Sequence, residues 1–170
     1  MTRTIDGPLA ELEQEAVATR RVLARIPDEH LDWRPHPRSW SLGQLALHVA
    51  TVPGSVAELA SQDLVADLPA FAQPAASRAA DLLPALEESL ARARRALGGF
   101  DDERMGGMWR MQQGGRDVLA MPRTAFVRAI MLNHWYHHRG QLLVYLRLVG
   151  QPVPSVYGPT ADENPFAAAV

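Results

Sequence analysis

The sequence predicts an all-α fold, a four-helix bundle, in a single domain over residues 1–170. Two observations carry this expectation. Four segments repeat apolar residues at i, i+3, i+4 and i+7, the spacing of one helix face. Two long connections let helices that are neighbours in sequence run in the same direction. A chain of 170 residues has the length of one domain with a sizeable core.

The first helix is expected over about Pro8–Ile26. Leu9, Leu12, Ala16, Thr19, Leu23 and Ile26 share a face, and Pro27-Asp28 stops the helix. Residues 27–40 read as a loop with Pro27, Pro35 and Pro37, bracketed by Trp33 and Trp40. The favoured role for both indoles is to pin this loop to the bundle; the alternative is to wall a pocket. The second helix opens at Ser41 with Gln44 at capping-box spacing and runs to about Val52. Pro53-Gly54 is expected to kink or break it, with a resumption over Ser55–Ser61. Residues 62–76, containing Pro69 and Pro74, read as a connection.

The third helix is expected over about Ser77–Leu97, with Leu82, Leu83, Leu86, Leu90, Arg94 and Leu97 as its core stripe and Gly98-Gly99 as its end. Residues 98–121 are rich in glycine and too long for a simple turn. A structural crossover is the expectation there, with a short ribbon or a lid as alternatives. The fourth helix spans about Pro122–Val149. Gly140 in its middle costs about 1 kcal/mol relative to alanine, which suggests close approach of another backbone, as across a dimer. The proline-rich tail from Gly150 is expected to pack on the bundle to about Asp162 and then fray.

Three of the six histidines fall within Asn133-His134-Trp135-Tyr136-His137-His138. His134 and His138 are four apart, so on a helix they stack on one side, about 6 Å apart along the axis. Neutral imidazole is a good ligand for zinc, nickel, copper or iron. The same spacing also serves core histidines hydrogen-bonded to backbone or water. A metal would need a third ligand. His48, on the apolar face of the second helix, is the best candidate; His30 and His36, in the proline-rich loop, are weaker ones. His137 lies about 100° around the helix from His138 and is expected to face away, although a His134/His137 pair is also geometrically open.

Composition excludes several chemistries. All 17 basic residues are arginine, so Schiff-base chemistry and a lysine base are absent. There is no cysteine, hence no disulfide, thiolate nucleophile or cysteine-based zinc site. A net charge of −2 gives no electrostatic footprint for nucleic acid. No apolar run approaches the 18 or so residues of a membrane span, and no signal peptide is evident, so the cytoplasm is the expected compartment.

The stretch from Asn133 to Arg147 resembles the signature of the DinB/YfiT-like metalloenzymes. So do Val153-Pro154-Ser155-Val156-Tyr157-Gly158-Pro159-Thr160-Ala161-Asp162-Glu163, Trp33-Arg34-Pro35, Ser39-Trp40-Ser41 and Leu45-Ala46-Leu47-His48. The resemblance covers roughly residues 8–163, with its blocks in order. It implies an up-down-down-up four-helix bundle, commonly a homodimer, and one divalent metal ion, zinc or nickel, on three histidines. Carried over by position, the ligands are His48, His134 and His138; His137 matches a position that is not a ligand.

Members of that superfamily include S-transferases and isomerases that use bacterial low-molecular-weight thiols. The resemblance therefore implies a thiol-dependent S-transferase acting on a small molecule. A metal-dependent hydrolase and a non-catalytic metal-binding stress-response module are the alternatives. The sequence weakens one form of hydrolase, since no glutamate follows His134 and the zinc-protease motif is missing. Gln141 is placed to support the site, face substrate or simply pack, and Tyr145 to reach the metal or the core. Arg139 and Arg147 are placed to grip an acidic substrate or to form surface and dimer ion pairs.

Overall fold

The computed structural model describes residues 2–67 and 73–167. Its framework is four helical stretches. Helix α1 is Asp6–Leu23, α2 is Leu42–Ala60 and α3 is Leu82–Leu97. The fourth stretch is continuous but not uniform: a short α5 (Arg123–Phe126), a π-helical segment (Val127–Asn133), then α6 (His134–Leu148). Pro69, within the expected connection of residues 62–76, lies outside the described residues.

An all-α fold is not what forms. A three-stranded sheet stands at one end of the bundle, in the order β1 (Leu64–Ala66), β2 (Met108–Gln113), β3 (Arg116–Pro122). Strands β2 and β3 are antiparallel and joined through Gly114-Gly115, and β1 adds in parallel to β2. The reason is local. Both glycines have positive φ, 56° and 74°, the backbone that a tight two-residue hairpin requires. The ribbon alternative for residues 98–121 is therefore the one the structure takes, preceded by a five-residue helix α4 (Asp102–Gly106). Trp109 of β2 anchors the sheet: its ring stacks on Phe126 at 3.8 Å, and its indole N–H donates to the Leu59 carbonyl at 2.9 Å.

Side-chain pairs give the relative directions of the helices. Glu13–Arg94 and Arg20–Glu87 run α1 against α3. Thr51 and Gly54 both meet Ser89, while Glu58 meets Arg92, so α2 and α3 run the same way. Glu11 with Arg128 and Glu15 with Arg139 align α1 with the fourth stretch.

Helix α2 begins as its residues dictate, with both bonds of the Ser41/Gln44 capping box made. It does not break at Pro53. Proline has no N–H to give to the carbonyl of Val49, four residues back. The fully buried indole of Trp135 donates to that carbonyl instead, at 2.8 Å. The next residue, Gly54, donates its N–H to Ser89 Oγ at 2.8 Å. Tertiary partners thus satisfy what the proline leaves open.

The tail is held by charge. Arg139 is buried, 1% exposed. It donates to Glu15 Oε2 at 2.5 Å and to the Tyr157 hydroxyl at 2.5 Å, and Tyr157 in turn donates to Glu15 at 2.8 Å. Arg147 pairs with Asp162, and Arg21 and Arg25 pair with Glu163. Arg139 and Arg147 therefore act as internal ties rather than substrate grips. Among the described residues, nothing outside its own helix lies within 4 Å of where a Cβ on Gly140 would project, so no close approach within the described chain explains that glycine. Among the described residues, no helix is long and apolar enough to cross a membrane.

Candidate metal centre

Two adjacent residue pairs join α2 to α6. Trp135 is bonded to the carbonyl of Val49; the residues one earlier in each helix, His134 and His48, then meet, Nε2 to Nε2, at 3.0 Å. One turn on, His138 brings its ring centroid to 4.5 Å from those of both His48 and His134. One ring nitrogen from each of the three lies within 4.8 Å of the others. Metal–imidazole bonds of about 2.0–2.1 Å separate the nitrogens of a tetrahedral site by roughly 3.3 Å. Small ring rotations therefore suit these three residues to one divalent ion.

The proton chemistry fits as well. Burial lowers the proton affinity of all three rings. His48 is brought down to about 4, first by burial and then by the charge His138 and His134 would carry, with the Gln73 side chain opposing. His134 is lowered by burial and then by His138 and His137. Burial also lowers His138, against the favourable bond to Gln141. Near neutral pH the rings are uncharged and keep a lone pair for a metal. Gln141 Oε1 lies 2.8 Å from His138 Nδ1. Accepting the proton there would leave Nε2 free for a metal, the usual service of an outer partner to a ligating histidine.

Trp40 walls the cluster. Its ring stacks on His138 at 5.4 Å and meets His48 edge-on at 5.0 Å. Trp33 is the indole that pins the loop, edge-on to Tyr145 at 5.7 Å. The other histidines are not among the three whose nitrogens converge, although the ring of His137 meets that of His138 edge-on at 5.0 Å. His36 Nδ1 accepts from the Arg38 N–H at 3.1 Å, His30 sits in the same loop, and His137 is exposed on the outer side of α6. The roles of Trp135 and Gln73 were not read from the sequence. Proline four residues after Val49 was the available signal for Trp135; nothing local marks Gln73.

The arrangement defines a class: a mostly helical bundle with a three-histidine centre suited to a divalent metal. The DinB family model matches residues 1–165, and the chain belongs to the DinB family. YrdA of Bacillus subtilis (strain 168) is 29% identical over 166 residues, covering 96% of this chain and 93% of that protein. A DinB-like protein from Bacillus cereus ATCC 10987 is 27% identical with a TM-score of 0.70, over 92% of this chain and 100% of that one. YfiT from Bacillus subtilis is described as a probable metal-dependent hydrolase with an unusual four-helix bundle topology. It is 15% identical with a TM-score of 0.64, over 86% of this chain and 88% of its own.

Proposed function

We propose that His48, His134 and His138 hold one divalent ion, zinc or nickel, and that the protein is a thiol-dependent S-transferase in an up-down-down-up bundle. A divalent ion in a site of this kind ionises a bound thiol outright and polarises an electrophile. One observation favours the thiol over water activated by a carboxylate. Among the described residues, neither cleft beside the cluster is lined by an aspartate or glutamate. A hydrolase that relies on a carboxylate to take the proton from water finds none in either cleft, whereas a thiol held as thiolate needs none; a metal-bound hydroxide would share that independence. In the net reaction the thiol proton goes to solvent and sulfur forms a bond to carbon. The leaving group departs with the electron pair of the bond that breaks.

The chain's own residues have defined parts in this reading. Gln141 fixes the tautomer of His138, Trp40 covers one side of the cluster, and the α2 side chains beside His48 exclude water. The second reading, a metal-dependent hydrolase, is favoured by the description of YfiT. The test begins with elemental analysis of protein purified without added metal. About one equivalent of divalent ion is expected, and His48→Ala should lose it. The metal-loaded protein is then given alkylating electrophiles with a panel of thiols, and esters without thiol. Thiol-dependent product is expected. Full metal in His48→Ala removes the ligand assignment, and ester cleavage without thiol moves the reading to hydrolase.

A further inference from the structure

The cluster borders two clefts that share no lining residue. The first, about 330 Å³, is walled by α2 from Leu47 to Leu59, with His48 and His134 at its inner face. The second, about 270 Å³, is formed by Arg38, Ser39, Trp40, Gln141 and Tyr145, and reaches His138. Their chemistry differs. Among the described residues, no charged side chain lines the first cleft, and Val52, Val56 and Leu59 make up much of its wall. The Thr51 hydroxyl there is already committed to the Leu47 carbonyl at 2.9 Å, and the Gln73 amide donates to the Gln44 carbonyl at 3.0 Å. The volume is at the lower end of small-molecule sites. The second cleft carries a cation, Arg38, which has no carboxylate within ion-pair distance among the described residues.

We propose that these are separate subsites: the α2 cleft takes a small, uncharged, apolar electrophile, and Arg38 binds the oxyanion of an acidic thiol. This rests on the S-transfer reading for the names of the two ligands, but not for their chemistry. An apolar body gains by leaving water for the α2 cleft, and the flat guanidinium favours a carboxylate or phosphate. The cluster bordering both clefts is where the two reacting atoms meet.

The test uses equilibrium binding to the full chain, metal-free and zinc-loaded. N-phenyl-1-naphthylamine, an uncharged apolar fluorophore, probes the α2 cleft. Mercaptosuccinate, phosphopantetheine and 2-mercaptoethanol probe the other, and the first two tell a carboxylate from a phosphate. Ser55→Glu should weaken the fluorophore at least tenfold and leave the thiols unaffected; Leu59→Trp, which fills the cleft without adding charge, should do the same. Arg38→Gln should weaken one or both acidic thiols at least tenfold and leave 2-mercaptoethanol and the fluorophore unchanged. Fluorophore binding that ignores both α2 variants overturns the first subsite. An acidic thiol bound no better than 2-mercaptoethanol, or equally well by Arg38→Gln, overturns the second. The metal-free arm separates the two ideas: variant-sensitive binding without turnover leaves the subsites standing and removes only S-transfer.

Discussion

At the scale of single residues, the meeting of His48 with His134 depends on an amide hydrogen that Pro53 lacks. Trp135→Phe would leave the buried Val49 carbonyl without its indole donor. A loss of about 1–3 kcal/mol is expected in urea unfolding, the cost of a buried unsatisfied acceptor, together with weaker metal retention. Pro53→Ala, which returns an N–H to that carbonyl, should recover part of the loss in the double variant and not in the wild type. Glu11 gives a pH test. Its carboxyl is held below the ordinary 4.5, first by Arg128, against burial, with help from Tyr136. As pH falls from 4.5 towards the folded value, the unfolded chain takes up more protons, so this contribution is present above that interval and lost within it. The pair is partly exposed, so it is worth at most about 1 kcal/mol. Glu11→Gln should be slightly less stable at neutral pH and lose stability less steeply on acidification, as read from unfolding midpoints. The pairing of His134 with His138 was legible from their spacing. The burial of Arg139 was not, because its partners Glu15 and Tyr157 are remote in sequence.

At the scale of elements, the wide turn over Val127–Asn133 explains where sequence reading slipped. A π turn takes up more residues than an α turn. The buried stripe therefore runs Val127, Met131, Trp135, Arg139, Leu142, Leu146, not through His134 and His138 as a uniform 3.6 period suggests. The histidines are displaced to the flank, where they are half-buried and border the clefts. Helix α2 was legible at its start from Ser41 and Gln44, but not through Pro53, since Ser89 and Trp135 come from other helices. The hairpin carried its own signal in Gly114-Gly115. Gly54 also has a packing role: a Cβ there would meet the Ser89 carbonyl oxygen at 2.6 Å. Gly54→Ala should push α2 from α3 and cost about 1–3 kcal/mol, the usual toll of overpacking. An unchanged thermal midpoint would show that the helices separate freely.

At the scale of the whole molecule, four helical stretches were legible because their apolar periods are long. The strand β1 was not, because three residues carry no usable period. The outer face of α6, with exposed Val144 and Leu148 beside Gly140, is where a second copy is expected to pack. Sedimentation should give twice the chain mass, and Val144→Glu should halve it; a wild-type monomer removes the homodimer. The separate linings of the two clefts have a kinetic consequence. If the thiol and the electrophile take separate clefts as proposed, neither must leave before the other arrives, and a ternary complex forms before any product departs. Double-reciprocal plots at several fixed levels of one reactant should therefore intersect, rather than give the parallel lines of an enzyme that carries a covalent half-product between two visits.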